Sequence, residues 1–227
     1  MIKPDIAVQE NPNYQKMLDI GFPEQREAWQ AEKAVYADGK LQIAGHPVME
    51  DWEDNYMQAL ADVAARGGGR VLELGFGMAI SAGYVQRHPV AEHVIIEANA
   101  EVFERLQAFA KEHPSVTPRF GFWQDVIATL EPESFDGILF DTYPTQEEEV
   151  ATHWFFFAEA HRLLKKGGVF TYFSDEVRDF SPRHRQALID AGFHADDIVA
   201  EVCEVNTPAE CLYWKDPTIV VPIVIKR

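Results

Sequence analysis

The sequence predicts a doubly wound α/β fold, with a mostly parallel seven-stranded sheet whose last strand runs antiparallel. Three observations carry this. Short apolar runs alternate with amphipathic helical stretches from residue 70 onward, the pattern of a parallel sheet with helices on both faces. A loop with two glycines, Glu73-Leu74-Gly75-Phe76-Gly77, separates the first run from the first helix of that series. Near the C-terminus two strand-like runs follow each other without a clear helix between them, and such a pair closes as a hairpin.

Taken in order, residues 1–45 are polar and irregular, with helical patches around 24–35. Trp52, Tyr56, Met57, Leu60 and Val63 suit one long helix over 49–66, ended by Gly67-Gly68-Gly69. The first strand is 70–75 (RVLELG), followed by a helix at 79–87. A second strand, 93–97 (HVIIE), precedes a helix at 100–112 with Val102, Phe103, Leu106 and Phe109 on its apolar face. Strand 116–122 leads to a short helix near 125–130, and strand 135–141 to a helix over 147–165 closed by Lys165-Lys166-Gly167-Gly168. The fifth strand is 169–173, then come a helix at 182–191 and strands near 198–205 and 219–225. Ligands of such sheets lie at the carboxyl ends of the strands, where the strand order reverses. Glu73–Gly77, Glu97 and Asp141 all fall at such ends.

Composition narrows the function. Of 227 residues, 47% are hydrophobic and 25% charged, which is ordinary for a globular chain. Acids outnumber bases 37 to 20, for a net charge of −17, and no block of Lys or Arg offers a phosphate-binding face. A nucleic-acid partner is therefore not expected, whereas a cationic small substrate is compatible. No apolar run approaches the roughly 20 residues of a bilayer span, and the N-terminus lacks the apolar core of a signal peptide. A cytoplasmic protein without membrane contact is expected. Cys203 and Cys211 suggest reduced thiols, and the eight histidines form no metal-spaced cluster, so no metal is expected.

The loop at 73–79 permits a tight turn and close backbone approach to a ligand. Ile80 stands where a dinucleotide fingerprint would carry its third glycine, which argues against a nicotinamide oxidoreductase. Glu73 beside the loop would oppose a pyrophosphate but suits ammonium and sulfonium charges, such as those of S-adenosylmethionine. Glu97 ends the second strand, where an acid can accept both ribose hydroxyls or complement a helix N-terminus. In Phe122-Trp123-Gln124-Asp125 a ring can stack on adenine and Asp125 can accept from its exocyclic amine. A core aromatic with an N-cap Asp is the alternative.

With GHPVMEDWEDNYMQAL (45–60), IIEAN (95–99), FDGILFDTYP (135–144) and HRLLKKGGVFTY (161–172), these residues resemble the guanidinoacetate N-methyltransferase family. That is a class I S-adenosylmethionine-dependent group with a Rossmann-like sheet. The resemblance runs from about Trp29 to the C-terminus. It implies a methyltransferase domain over 46–227 and an N-terminal segment, 1–45, that folds over the site as a lid. It places cofactor contacts at Trp29, Met49, Met57, Glu73, Gly75, Phe76, Gly77, Met78, Glu97, Asn99, Phe122 and Trp123, and substrate carboxylates at Glu53 and Asp141. Met49 and Met57, eight residues apart, also suit ordinary packing on one helix face.

The chemistry of a guanidinium fits two acids. It is planar, keeps its proton at neutral pH, and becomes nucleophilic only as a proton leaves. A carboxylate can grip two of its donors and accept that proton. Asp141, at a rigid strand end, is the expected base, and Glu53 the orienting partner. Retention of both argues against a binding module that merely kept a cofactor pocket.

One stretch departs from the family pattern. After the fifth strand, where the family turn holds the carboxylate of guanidinoacetate, this chain carries Asp175 and Glu176. Two acids there would repel a substrate carboxylate and welcome an ammonium, or else they are solvated loop charges. Guanidinoacetate is the acceptor the resemblance implies. Free L-arginine or another amino-bearing guanidine is the alternative, and a protein arginine a further one.

Overall fold

The computed structural model describes residues 19–23, 25–145 and 152–227. Helix α1 (Arg26–Ala31) leads into a small antiparallel sheet of β1 (Ala34–Ala37), β2 (Lys40–Ile43) and β3 (His46–Glu50). Two-residue turns, Asp38-Gly39 and Ala44-Gly45, join them, and all four residues have positive φ. That is the primed hairpin geometry, whose twist matches that of the strands. The sheet is absent from the sequence expectation, which read 1–45 as irregular and began a helix at 49. The helical patch expected around 24–35 is instead α1 followed by β1, and residue 24 lies outside the described residues.

The helix expected from 49 starts later. A 3-10 turn, Asp51–Glu53, connects β3 to α2 (Asp54–Ala65). Met49 pairs with Leu41 in the small sheet, whereas Met57 is buried on α2. The two methionines therefore share no helix face. The division expected at residue 45 falls between β2 and β3, inside this sheet.

The main sheet follows the predicted rhythm: β4 (Gly69–Leu74), α3 (Ile80–Val85), β5 (Val90–Glu97), α4 (Ala100–Glu112), β6 (Val116–Phe120), α5 (Trp123–Val126) and β7 (Phe135–Phe140). Then come α6 (Thr152–Leu163), β8 (Leu164–Tyr172), α7 (Pro182–Asp190), β9 (Ile198–Glu204) and β10 (Thr218–Ile225). Spatial order is β6-β5-β4-β7-β8-β10-β9, with β10 antiparallel to both neighbours. This is the seven-stranded, mostly parallel sheet with an antiparallel last strand that the sequence predicts. One boundary differs. Lys165-Lys166-Gly167-Gly168 does not close a helix but lies inside β8, whose ladder with β7 slips between Phe135 and Gly137. The start of the helix expected over 147–165 lies outside the described residues.

Strand side chains alternate between two apolar layers, as a sheet covered on both faces requires. Val71, Ile95 and Leu139 pack toward α2 and α4, while Leu72, Ile96, Ile138 and Phe140 pack toward α6 and α7. Helix α2 lies close on β7: a Cβ at Gly137 would sit 1.8 Å from the Ala64 carbonyl oxygen.

The strand ends that carry the expected site are tied together. Asp141 N–H donates to the Leu74 carbonyl at 2.9 Å, Gly75 N–H to Ile96 at 2.9 Å, and Phe173 N–H to Phe140 at 3.1 Å. The order reverses at β4, so the carboxyl ends of β4 and β7 form the switch point. Among the described residues no helix is long and apolar enough to cross a membrane.

Candidate active site

A cleft of about 810 Å³ opens at that switch point. Its floor is the glycine loop (Gly75, Phe76, Gly77), with Glu97 from β5 and Asp141 just past β7. Phe122, Trp123 and Gln124 form one wall, and Trp29 and Met49 come over it from the N-terminal segment. The only charged side chains among the described lining residues are Glu97 and Asp141.

Local structure explains each placement. Gly75 has φ +91°, and a Cβ there would lie 1.9 Å from the Asp141 carbonyl oxygen. The close approach that demands glycine is thus to the end of β7, a contact the sequence reading had assigned to a ligand. Glu97 accepts from Phe76 N–H at 3.0 Å on Oε2 and from Asn99 N–H at 2.7 Å on Oε1. The backbone N–H groups of Ala98 and Gly77 also favour its charged form, against the burial that raises it.

The carboxyl of Asp141 faces the cleft, and no described hydrogen-bond donor or cation pairs with it. Burial, then the charge of Glu73, pushes it well above the ordinary carboxylate range. Glu53 is buried at 2% exposure, and burial followed by the charge of Asp141 pushes it up as well. Glu53 therefore senses the Asp141 charge, although it reaches the site from the turn before α2 and does not line the cleft itself.

A family model described as guanidinoacetate N-methyltransferase matches residues 20–227. The chain belongs to the guanidinoacetate N-methyltransferase family. The matched region, 20–227, is the domain of a methyltransferase family. Among curated relatives, protein arginine N-methyltransferase 2 of Yarrowia lipolytica is 34% identical over 155 residues, covering 63% of this chain and 32% of that protein. The chain thus spans about a third of that relative's length. Spermidine synthase from Thermotoga maritima superposes with a TM-score of 0.61 at 17% identity, covering 86% of this chain and 72% of the other. TYW2 of M. jannaschii in complex with AdoMet gives 0.58 at 16% identity, covering 87% of each chain. These likenesses show the fold.

Within this member of the guanidinoacetate N-methyltransferase family, the remaining expected residues take other places. Met57, Glu73, Met78, Asn99 and Asp125 do not line the cleft. Asn99 caps α4, accepting from Glu101 and Val102 N–H at 3.1 Å each. Its Nδ2 donates to the carbonyls of Trp29 at 2.9 Å and Glu32 at 2.7 Å. It therefore fastens the N-terminal segment over the cleft. Asp125 is exposed and pairs with Arg26 at 3.1 Å, and its neighbour Gln124 lines the wall. Met78 N–H donates to the Met49 sulfur at 3.3 Å. Trp29 stacks on Tyr143 with centroids 5.0 Å apart and an interplanar angle of 9°.

The acids after β8 separate. Burial would raise Glu176, but hydrogen bonds from His184 (3.1 Å) and Ser181 N–H (2.9 Å) prevail and hold it low. Its carboxylate braces the turn into α7. Asp175 has φ +56°. Burial, then Glu176 and Asp141, pushes its carboxyl up to about 7.

The sequence reading missed Leu41, Ile43 and Val48 of the small sheet, and Tyr143 and Thr145 beyond Asp141, all of which line the cleft. Tyr143 stood within the quoted FDGILFDTYP block. The first three depended on seeing the hairpins.

Glu73 lies beneath the loop at 0% exposure, with Ser81 Oγ–H donating to Oε1 and His93 Nε2 2.7 Å from Oε2. His93 is equally buried, and its Nδ1 meets Gln86 Nε2 at 3.0 Å. Replacing His93 with Leu would leave that buried oxygen without a polar neighbour. The expected loss is about 3 kcal/mol of stability, read as a lower urea midpoint with an unchanged slope.

Proposed function

We propose that the protein transfers a methyl group from S-adenosylmethionine to a guanidino nitrogen of a small molecule. The observation that carries this reading is a pair of raised carboxyls, Asp141 half-buried at the cleft and Glu53 buried within reach of its charge, with no described cationic partner. A guanidinium supplies the missing charge and matching donors.

The cleft suits this cofactor. A lining whose only charged side chains are acidic favours ammonium and sulfonium groups over a pyrophosphate, and the Glu97 carboxylate at the end of β5 suits the ribose hydroxyls. In this reading Phe122 and Trp123 flank an adenine, the loop from Gly75 to Gly77 passes under the methionine part, and Trp29 and Met49 cover it; all of them line the cleft. The segment from α1 to β3 then serves as the lid and keeps water out. Bound S-adenosylmethionine supplies a methyl activated by its sulfonium.

The protein's own groups do the rest. Asp141 holds the acceptor nitrogen in line, fixed by its backbone bond to Leu74, and most of the acceleration comes from that alignment. As the nitrogen is methylated, Asp141 takes its proton. Glu53 orients the other nitrogens.

A pH dependence follows. Below their raised pKa values the two acids are neutral and cannot hold a guanidinium. The kcat/KM for the acceptor is therefore expected to keep rising with pH toward neutrality, well beyond the point where an ordinary carboxylate would level off. The limb belongs to the coupled pair. A profile already flat in the ordinary carboxylate range would contradict the pairing.

Guanidinoacetate is the acceptor the family's description names. L-Arginine or another amino-bearing guanidine is the second reading, favoured by Asp175, whose half-buried carboxyl senses the Asp141 charge and matches an ammonium better than a carboxylate. Methyl-labelled cofactor with guanidinoacetate, L-arginine, agmatine, guanidine and an arginine-containing peptide tests both. Label on guanidinoacetate alone defeats the Asp175 argument. Label on the peptide alone points to the protein arginine named for the Yarrowia lipolytica relative. No label on any guanidine defeats the proposal.

A further inference from the structure

We propose that Tyr213 positions Glu53 for the acceptor, locking one carboxylate oxygen so that only the other is presented. The inference rests on the guanidino reading above, in which Glu53 meets the acceptor.

The geometry at Glu53 is asymmetric. Oε1 accepts Glu50 N–H at 2.8 Å and the Tyr213 hydroxyl at 2.5 Å. Among the described residues no donor reaches Oε2. The first bond is local and belongs to the turn that starts α2. The second comes from 160 residues away, in the connection between β9 and β10. It is the bond that fixes the plane of the carboxylate, because one donor on one oxygen leaves the group free to swing about it.

Tyr213 is itself well held. Its ring lies 5.8 Å from that of Trp52. Trp214, next in sequence, is fully buried, with its ring edge-on to Phe173 at 6.2 Å. The base of the connection is closed by Val205 N–H to the Pro217 carbonyl at 2.9 Å. A rigid hydroxyl therefore meets a buried carboxylate, and the C-terminal connection becomes part of the acceptor site without touching the acceptor.

Two consequences separate this role from simple packing. With Oε1 occupied, Glu53 offers a guanidinium one oxygen, and the two-donor grip falls to Asp141. The groups that charge the surroundings of Glu53 are Asp141 past β7, Glu50 on its own turn, and Tyr213 and Cys211 on the connection. None is cationic. The Tyr213 hydroxyl is thus the side-chain donor that offsets burial of the Glu53 charge. Removing it should raise Glu53 further and move the acidic limb of kcat/KM to higher pH.

The test is Tyr213→Phe in the full chain, which keeps the ring and its contact with Trp52. Steady-state methyl transfer is measured with guanidinoacetate and with L-arginine, beside cofactor binding and thermal unfolding of the same preparation. The expected result is an acceptor KM raised about tenfold or more, a limb displaced to higher pH, and cofactor affinity within about twofold of wild type. An unchanged acceptor KM and pH profile would overturn the proposal, as would equal losses of acceptor and cofactor affinity, which mark a general structural defect. If the wild-type protein labels neither acceptor, the guanidino reading itself fails and this inference falls with it. If wild type labels one and Tyr213→Phe matches it, only the present inference fails.

Discussion

Asp141→Asn is expected to lower the rate of methyl transfer by on the order of 10²- to 10⁴-fold, the usual contribution of a general base. Cofactor affinity should stay within about twofold. Asparagine keeps the shape and one accepting oxygen but loses the charge and the site for the proton. The backbone would not move, since Asp141 is held through its N–H to Leu74 and not through its side chain. Single-turnover label transfer at saturating cofactor, beside calorimetric titration of the cofactor, separates the two effects. A variant within tenfold of wild type would remove the base role, and parallel losses of binding and turnover would make Asp141 a structural residue.

Gly75→Ala is expected to be the most damaging small substitution in the loop. It forces alanine to φ +91° and drives a methyl to 1.9 Å from the Asp141 carbonyl oxygen. Neither partner can yield cheaply, because both are backbone in tied strand ends. A loss of about 3 kcal/mol or more is expected, with cofactor binding and turnover falling together as β4 and β7 part. Gly77 is the control. A Cβ there meets the Met49 sulfur at 3.0 Å, the far part of a flexible side chain. Gly77→Ala should therefore cost only the strain of φ +52°, about 1 kcal/mol. Urea midpoints and cofactor titrations of the two variants give the comparison. Equal damage from both would mean that the loop, and not its contact with Asp141, limits the site.

What was legible in the sequence follows from period and punctuation. Strands β4, β5 and β7 are covered on both faces, so they read as short continuous apolar runs, and their carboxyl ends announce Glu97 and Asp141. Helix α4 was predicted at its observed bounds because its apolar positions recur at helical spacing, whereas the cap that starts it, Asn99, was read as a cofactor contact. The small sheet was overlooked although Asp38-Gly39 is a strong hairpin signal. Its strands are only four and five residues long and partly polar, too short to show a period, and they gain their core by lying over the cleft. Met49 was drawn into a helix for the same reason: alone it fits either a helix face or a strand.

The acids after β8 show what spacing cannot decide. Asp175 and Glu176 are adjacent and look equivalent in sequence. In the fold Glu176 turns to His184, while Asp175 stays within reach of the Asp141 charge. Tyr213 was invisible because its contact with Glu53 is made by tertiary structure alone.

Recognition of a guanidinium by Asp141 and Glu53 is tested most directly by binding, without turnover. Guanidinoacetate and L-arginine are each titrated by calorimetry into the protein saturated with S-adenosylhomocysteine, beside the neutral ureido counterpart of the same size. The paired acids predict that at least one guanidine binds and that its ureido counterpart binds about a hundredfold more weakly. Equal affinity within each pair would contradict the pairing of these two carboxylates with a guanidinium.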